Sequence, residues 1–262
     1  MQVSQELLQN RPLSFSSLKE FMRSPQHYVK YLDSDRKQTE AMLFGAICHK
    51  LILEPQLFDK EYIIEPELDK RTKQGKEDYA AFIAKITEQN LTPVPPATYE
   101  KAVALFESVM KSDAAKYIYD AKIREGRFDM NHETGLPVCG YIDGTANTYN
   151  LEIKIVSSAD NDDIMRDFYK MKYHLQAGIY NWVNGKPMYY LVVENSYPYL
   201  SKVFKASDDY ISEGKRLFNK AMSDFKFCLD MDNFSAGYEF YEGKEPLELT
   251  LPGWAKKGGS ND

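Results

Sequence analysis

One short strand pattern near the middle of the chain constrains the fold more than any other feature. Leu151, Ile153 and Ile155 alternate with Glu152 and Lys154, which is the period-two pattern of a β-strand. Because successive side chains of a strand point to opposite faces, the apolar residues would enter a core and the two charged residues would share the other face. Two charges on one face of an otherwise apolar strand indicate a functional site.

A strand pattern just before it adds another carboxylate, Asp143. Turn residues separate the two patterns, so we expect a hairpin with Ala146 and Asn147 at its tip. In that register Asp143 faces Asn150, and Glu152 is its diagonal neighbour on the same face. Diagonal positions lie roughly 7–8 Å apart, which lets two carboxylates converge on one hard cation.

Length and composition limit the classes of protein. The 262 residues, 43% of them hydrophobic, allow one large folded domain with a sizeable core. No apolar run of about 18 residues and no secretion signal is present, so we expect a soluble, cytoplasmic protein without a membrane partner. Cys48, Cys139 and Cys228 are too few and too scattered for a disulfide framework or a four-cysteine metal site.

The net charge of −6 argues against nonspecific binding of polyanions, because phosphate contacts come from lysine and arginine. Arg71, Lys73 and Lys76 nevertheless form a local basic segment. Such a segment is more often a solvated helix face, and DNA binding is the alternative.

The first 120 residues are expected to be mainly helical. Ser17 and Glu20 are spaced as a capping box at the start of a first helix. His49 is a polar intrusion in a helix that is apolar almost all round. Helices are predicted at 25–32, 41–53 and 98–119, with a loop at 91–96.

Between residues 123 and 156 the pattern changes to strands. They are followed by predicted helices at 167–183 and 208–229, strands at 189–193 and 200–204, and a strand-rich tail. The predicted fold class is therefore α/β, a central mixed sheet flanked by helices with a helical N-terminal extension. We expect residues 1–262 to form one domain, with 1–120 as its helical part and 121–262 as its core.

Asp143, Glu152 and Lys154 suit metal-assisted hydrolysis of a phosphodiester. Carboxylates can hold Mg²⁺ and leave coordination positions for water and a phosphate oxygen. A lysine beside the ion can orient or deprotonate the attacking water, or stabilise charge on phosphorus. The alternative is an exposed Glu152–Lys154 ion pair and an Asp143 that starts a turn. From three residues alone the two interpretations are about equal.

Two further polar residues could complete such a site. His49 needs a partner inside its apolar helix, either a hydrogen bond in the core or a metal ion beside the carboxylates. Glu125, on the strand before Asp143, could add a carboxylate, or it could be a solvated charge between Arg124 and Arg127.

Tyr173, Gln176, Ala177 and Tyr180 fall on one helix face, at i, i+3, i+4 and i+7. This face would pack on the sheet. Packing explains the tyrosines, but a buried glutamine needs hydrogen bonds, for example to a ligand, a metal-bound water or the DNA backbone.

The order of these motifs resembles the exonuclease VIII (RecE-type) family of phages and prophages, within the PD-(D/E)xK nuclease superfamily. The resemblance covers nearly the whole chain. Its matching segments are 14–28, 44–55, 71–76, 133–143, 152–154, 173–180 and 192–199.

The resemblance implies a role for each matching residue. Lys154 would be the catalytic lysine, and Gln176 and Tyr180 would support the site and the DNA. Divalent metal would be bound by His49, Asp143, Glu152, the backbone carbonyl of Ile153 and, at the acidic position of the preceding strand, Glu125.

The family also implies a substrate and partners. Its members digest linear double-stranded DNA and act with a single-strand annealing protein in recombination, and ring-shaped oligomers occur among them. We therefore expect two Mg²⁺ ions, with Mn²⁺ as a substitute, a homo-oligomer, and a phage or prophage origin in a bacterial host.

Two other functions remain open. A structure-selective endonuclease would use the same chemistry, whereas a relative of the CRISPR-associated nucleases is disfavoured because the cysteine cluster is missing. A catalytically inactive DNA-binding or interaction protein of phage origin would have no need to keep Asp143, Glu152 and Lys154 together.

Overall fold

The structure is a computed structural model that describes residues 5–34 and 38–250. Its N-terminal part contains α1 (Gln5–Asn10), α2 (Phe15–Phe21), α3 (Pro25–Asp33), α4 (Glu40–Leu53), α5 (Phe58–Glu61), β1 (Tyr62–Ile64), α6 (Lys73–Gln89), β2 (Thr92–Val94), α7 (Pro96–Lys111) and α8 (Ala115–Asp120). The remainder contains β3 (Ile123–Asn131), β4 (Pro137–Thr145), β5 (Asn150–Val156), α9 (Asn161–Lys170), α10 (Tyr173–Asn184), β6 (Met188–Glu194), β7 (Ser201–Lys205), α11 (Asp208–Asp230) and α12 (Glu239–Glu242).

A five-stranded sheet in the order β3-β4-β5-β6-β7 forms the centre of the fold. Neighbouring strands are antiparallel except β5 and β6, which are parallel. A parallel pair needs a long crossover, and α9 and α10 supply it. The predicted fold class, a mixed sheet flanked by helices, is confirmed.

Hydrophobic clusters cover both faces of the sheet, and β6 contributes to each of them. Tyr190 and Val192 enter a cluster with side chains of α2, α3, α10 and α11, whereas Leu191 and Val193 enter a cluster with α4, α7 and α8. This division follows from the alternation of side chains along a strand. A strand in this position is buried on both faces, so a polar side chain on its neighbour β5 needs partners.

β5 has the predicted alternation. Leu151 and Ile153 are fully buried in the cluster that contains α4, and Ile155 packs at its border. Glu152 is only 4% exposed. The predicted alternative of an exposed Glu152–Lys154 ion pair is therefore wrong, although the two residues do pair.

The predicted capping box of Ser17 and Glu20 is wrong, because α2 begins about one turn earlier, at Phe15. Ser14 is the N-cap: its hydroxyl accepts from the Ser17 N–H, and the Ser14 N–H donates to the Ser17 hydroxyl. This reciprocal pair satisfies two N–H groups that a helix start leaves unpaired. Glu20 instead forms an ion pair with Arg23 on the surface.

Two predicted long helices are each broken in two. The helix predicted at 98–119 ends at Ser112, whose hydroxyl accepts from the Ala114 N–H and so competes with the helical backbone. The helix predicted at 167–183 is divided at Lys172, which has a left-handed backbone with φ 59°. The second break turns the chain so that α10 can run along the sheet.

Two further predictions need correction. The predicted loop at 91–96 contains β2, which pairs in parallel with β1 through the α6 crossover. The predicted strand-rich tail is wrong as far as residue 250, where the chain forms turns and α12. Residues 251–262 lie outside the described part.

No single described helix is long and apolar enough to cross a membrane. One bent pair, Glu40–Leu53 with Pro55–Glu61 at 117°, passes that test by length and composition. The expected organisation of residues 1–262 as one domain stays a prediction.

Candidate metal centre

Among the described residues, β4 and β5 pair at two positions only. Thr145 pairs with Asn150, and Gly144 pairs with Leu151. The predicted register, with Asp143 opposite Asn150, is therefore wrong by two residues. Beyond Gly144 the strands separate, which opens a gap between them beside Asp143.

The position of the turn explains the register. The Ala146 N–H donates to the Tyr149 carbonyl at 2.9 Å, so Asn147 and Thr148 form the tip. Ala146 and Tyr149 are both buried in the cluster that contains α4. The expected tip, Ala146 and Asn147, is wrong because packing holds Ala146 inside the protein.

Side chains replace the missing strand partners in the gap. The Ile153 N–H donates to Oδ2 of Asp143 at 2.7 Å, and the Ile153 backbone beside the His49 ring partly offsets the fall in the pKa of that ring. Nδ1 of His49 lies 3.5 Å from the same Asp143 oxygen. The backbone of Ile153, the Asp143 carboxylate and the His49 ring thus meet at one point.

Glu125 joins this group from β3. One ligand atom each of His49, Glu125 and Asp143 lies within 4.8 Å of the others, a spacing that suits a shared metal ion. Glu125 has a positive φ of 48° near the start of its strand, a conformation that few residues other than glycine adopt. Burial raises the pKa of its carboxyl, and the nearby His49 and Lys50 lower it in part.

Glu152 has one satisfied and one unsatisfied carboxylate oxygen. Its Oε1 accepts from Nζ of Lys154 at 2.6 Å and from Nε2 of Gln176 at 2.7 Å. Its Oε2 is buried without a hydrogen-bond partner in the part of the chain that the structure describes. Buried oxygens are rarely left unpaired. A divalent cation would supply the partner, so the residues present fit a metal ion.

The predicted face of α10 packs on β5. Gln176 and Tyr180 are 4% and 6% exposed, and Nε2 of Gln176 also donates to the Tyr180 hydroxyl at 3.1 Å. Nζ of Lys154 lies 4.5 Å from the centre of the Tyr173 ring. This geometry explains why a buried glutamine occupies the helix, because it holds the Glu152 carboxylate.

Close helix packing fixes the position of Gln176. A Cβ atom added to Gly178 would lie 2.2 Å from the backbone of Gly214, so α10 and α11 touch through their main chains. Asn150 and Asn184 exchange two amide hydrogen bonds of 2.9 Å, which join the start of β5 to the end of α10.

The four ionisable groups influence one another. Burial raises the pKa of Asp143 and of Glu152 to about 7 each, and Lys154 opposes both shifts. Burial also lowers the pKa of His49, which leaves a neutral ring that can bind metal. Burial alone would lower the pKa of Lys154. The Glu152 carboxylate, Tyr173 and Asp143 outweigh burial and raise this pKa, so Lys154 is positively charged.

Two clefts of about 620 Å³ each open beside this cluster. Gly45 and His49 of α4 line both of them. The first cleft is also lined by Phe44, Lys101, Ile153, Lys154 and Asn195, and the second by Met42, Lys50, Glu54, Tyr62, Glu125 and Tyr141. A polymer could therefore reach the cluster from two sides.

The predicted DNA-binding segment lies elsewhere. Arg71, Lys73 and Lys76 are exposed at the start of α6 and, in the described structure, line neither cleft. Arg71 is paired with Asp69 at 3.0 Å, and Lys73 is 3.9 Å from Glu77. Their contact with DNA stays a prediction.

Sequence reasoning missed three residues beside the cluster. Tyr173 was placed on the correct helix face, but its contact with Lys154 depends on the packing of α10. Lys101 and Asn195 carry no local signal, because surface lysines and asparagines are common in helices and loops. Only the three-dimensional arrangement brings them to the first cleft.

The mixed sheet and the cluster of histidine, carboxylates and lysine define a PD-(D/E)xK-type nuclease domain, a class that uses divalent metals. The chain belongs to the family described as PDDEXK-like domain of unknown function (DUF3799), whose model matches residues 14–238. The predicted superfamily is thereby confirmed. The roles of the individual residues stay predictions.

A solved structure shares the fold at low sequence identity. The crystal structure of a proposed exonuclease from Eubacterium rectale matches with a TM-score of 0.61 at 13% identity, over 95% of this chain and 93% of that chain. The crystal structure of SSO0001 matches with a TM-score of only 0.30 at 14% identity, over 72% of this chain and 95% of that chain, which is too low to show a shared fold. No curated protein matches this chain.

Proposed function

We propose that this protein is a metal-dependent exonuclease that degrades linear double-stranded DNA for recombination, as members of the exonuclease VIII (RecE-type) family do. The observation that carries the proposal is the cluster of His49, Glu125 and Asp143 beside Glu152, whose buried Oε2 has no partner among the described residues. The carboxylate oxygens of this arrangement are hard ligands that suit Mg²⁺, and the His49 ring adds a nitrogen ligand.

Each ligand has a place in this proposal. Mg²⁺, replaceable by Mn²⁺ and present as two ions in the full site, would polarise the phosphate and make a bound water more acidic. The residues that would hold the ions are His49, Glu125, Asp143, Glu152 and, through its backbone carbonyl, Ile153.

Lys154 is the group that would act on the reacting atoms. Its ammonium is held between the Glu152 carboxylate and the Tyr173 ring, and it lines the first cleft. There it would orient the water that attacks phosphorus in line, and stabilise the negative charge that develops on the phosphate oxygens. Gln176 would keep Glu152 in position, and Tyr180 would keep Gln176 in position.

One assay tests this function. Wild-type protein and a Lys154→Ala variant are incubated with linear and with covalently closed double-stranded DNA, in Mg²⁺, in Mn²⁺ and in EDTA. An exonuclease consumes only the linear DNA and requires the metal. The variant should be inactive while its circular dichroism spectrum and a cooperative unfolding transition show that it is folded.

The same assay separates the alternatives. Nicking of the closed circle would identify a structure-selective endonuclease. Binding of DNA without cleavage under either metal would identify an inactive DNA-binding or interaction protein of phage origin. Either result would contradict the exonuclease proposal.

The resemblance to the exonuclease VIII family also supports proposals about partners. These are a homo-oligomer, a phage or prophage origin, and a single-strand annealing protein as the partner in recombination. Light scattering of the purified protein tests the first, and co-purification with an annealing protein encoded beside it tests the last.

A further inference from the structure

The helix α6 carries an apolar stripe that the described part of the chain leaves largely open to solvent. The stripe consists of four residues at i, i+3, i+4 and i+7: Tyr79, Phe82, Ile83 and Ile86. Tyr79 and Ile83 are 36% and 39% exposed, and the other two are half-buried. Gly75 is the only buried residue among the 17 of this helix. In a globular protein such a stripe normally faces a core.

The helix is nevertheless well defined at both ends. Thr72 caps its start by accepting from the Gly75 N–H at 2.9 Å, and Asn90 ends it with a left-handed backbone of φ 52°. The Lys70 ammonium lies 3.5 Å from the centre of the Tyr79 ring and covers only that end of the stripe. Because most helical stability in proteins comes from packing of an amphipathic face, the stripe indicates a surface supplied from outside the described residues.

Two charged residues beside the stripe indicate what that surface is. Asp78 and Lys85 are seven residues apart, so they lie along the same border of the stripe. Two helical turns separate them by about 10 Å, which is too far for an ion pair within the helix. A second copy of α6 that runs antiparallel would bring its Lys85 to Asp78 and its Asp78 to Lys85.

The apolar residues fit the same register. With Asp78 opposite Lys85 of the second copy, Tyr79 of each helix packs against Phe82 and Ile86 of the other. A twofold axis relates the two halves of the contact, so each favourable contact forms twice. The stripe is therefore complementary to itself in both shape and charge.

The other charged residues of α6 do not oppose this pairing. Lys76 lies on the second border of the stripe beside Ile83, where its aliphatic stem can cover apolar surface. A parallel pair would not bring Asp78 to Lys85, because like positions then lie side by side. The remaining charged residues lie on the side of the helix away from the stripe: Lys73, Glu77 and Glu88.

We propose that α6 pairs antiparallel with α6 of a second copy of this chain, through the stripe and two reciprocal Asp78–Lys85 ion pairs. The inference assigns an interface to the homo-oligomer proposed above, so it rests on that part of the proposed function and not on DNA cleavage. Two helices of this length bury less than the roughly 1,200 Å² at which stable interfaces begin. We therefore expect a dissociation constant on the order of micromolar.

Sedimentation equilibrium over a range of concentrations tests the pair. Wild type should associate, and Ile83→Asp should weaken the association by about 100-fold or more, because it buries an unpaired charge in both halves of the contact. Ala81→Asp is the matched control, since Ala81 is exposed on the opposite side of α6 and receives the same charge. It should associate as wild type does. Circular dichroism checks that each variant is folded.

An exchange of charges tests the antiparallel register. Asp78→Lys and Lys85→Asp should each weaken association by about tenfold, because each replaces two attractions with two repulsions. The double variant with both changes should associate nearly as wild type does. Because the two positions do not touch within one chain, this recovery can arise only between chains. A double variant that associates no better than the single variants would overturn the antiparallel pair.

The outcomes separate this inference from the proposed function. If wild type and Ile83→Asp associate equally strongly, the α6 pair is wrong and the proposed homo-oligomer stands. If wild type remains monomeric at every concentration, both are wrong, and residues 251–262 or a different protein would have to cover the stripe. Cleavage of linear DNA by the wild-type protein would support the exonuclease proposal in either case.

Discussion

Gln176 donates a hydrogen bond from Nε2 to Oε1 of Glu152 across 2.7 Å, from α10 to the central strand. The bond fixes one oxygen of the carboxylate, whereas the other is buried without a hydrogen-bond partner among the described residues. We expect Gln176→Met to weaken Mn²⁺ binding by about 10–100-fold, because groups that orient metal ligands have effects of this size. Calorimetric titration measures the affinity. Unchanged affinity in a folded variant would show that Glu152 needs no such support.

Tyr180 reaches Glu152 through Gln176, so a substitution at Tyr180 should disturb the site less than a substitution at Gln176. Its hydroxyl accepts from Nε2 of Gln176 at 3.1 Å. We expect Tyr180→Phe to reduce the turnover of linear DNA by about five- to tenfold, since the loss of one buried hydrogen bond corresponds to roughly 1 kcal/mol. A loss of turnover by about 100-fold or more, with Mn²⁺ affinity unchanged, would mean that Tyr180 contacts the substrate itself.

The buried carboxylates make the stability of the metal-free protein depend on pH. Burial raises the pKa of Asp143 and Glu152 to about 7, from about 4 in an unfolded chain. Between about pH 4 and 7 the folded protein then binds more protons than the unfolded chain, so its free energy of unfolding falls as the pH rises through this range.

Asp143→Asn removes one of these groups and keeps an oxygen that can accept from Ile153. We expect the variant to gain stability relative to wild type, on the order of 2 kcal/mol, as the pH rises from about 4.5 to about 7.5. Urea unfolding in EDTA at several pH values measures the difference. A difference that is constant with pH would contradict the assigned pKa of Asp143.

The contact between α10 and α11 should tolerate no side chain. A Cβ atom added to Gly214 would lie 1.8 Å from the His174 carbonyl oxygen. We therefore expect Gly214→Ala to lower the free energy of unfolding by about 2–4 kcal/mol, because the helices must move apart. Chemical unfolding measures it, with Gly45→Ala as the comparison that should instead be stabilising, because a Cβ atom there would meet no other described atom within 4 Å and alanine favours the helix.

Local sequence patterns were sufficient to predict the strand and the helix face that carry the site residues. The alternation of Leu151 and Ile153 with Glu152 and Lys154 gives the strand, since its period is a property of the backbone. The spacing of Gln176 and Tyr180 gives the helix face for the same reason. Both patterns extend over enough residues to be unambiguous.

Features that depend on tertiary packing could not be predicted from the sequence. The hairpin register depends on the burial of Ala146, and the break at Lys172 depends on how α10 meets the sheet. The three-residue strands β1 and β2 are too short for an alternating pattern. The gap between β4 and β5, where His49 meets Asp143, has no local sequence signal at all.

The residues proposed for hydrolysis and the exposed residues beside them lie on separate elements, β5 and α4. Glu152 and Lys154 are carried by a strand that is hydrogen-bonded to β6 along its whole length, from Asn150 to Val156. Met42 and Gly45 lie on α4, where a changed side chain meets open space. In the proposed function, the groups that would act on the phosphate are therefore anchored by the sheet, whereas the helix surface beside them can change its side chains without disturbing that anchor.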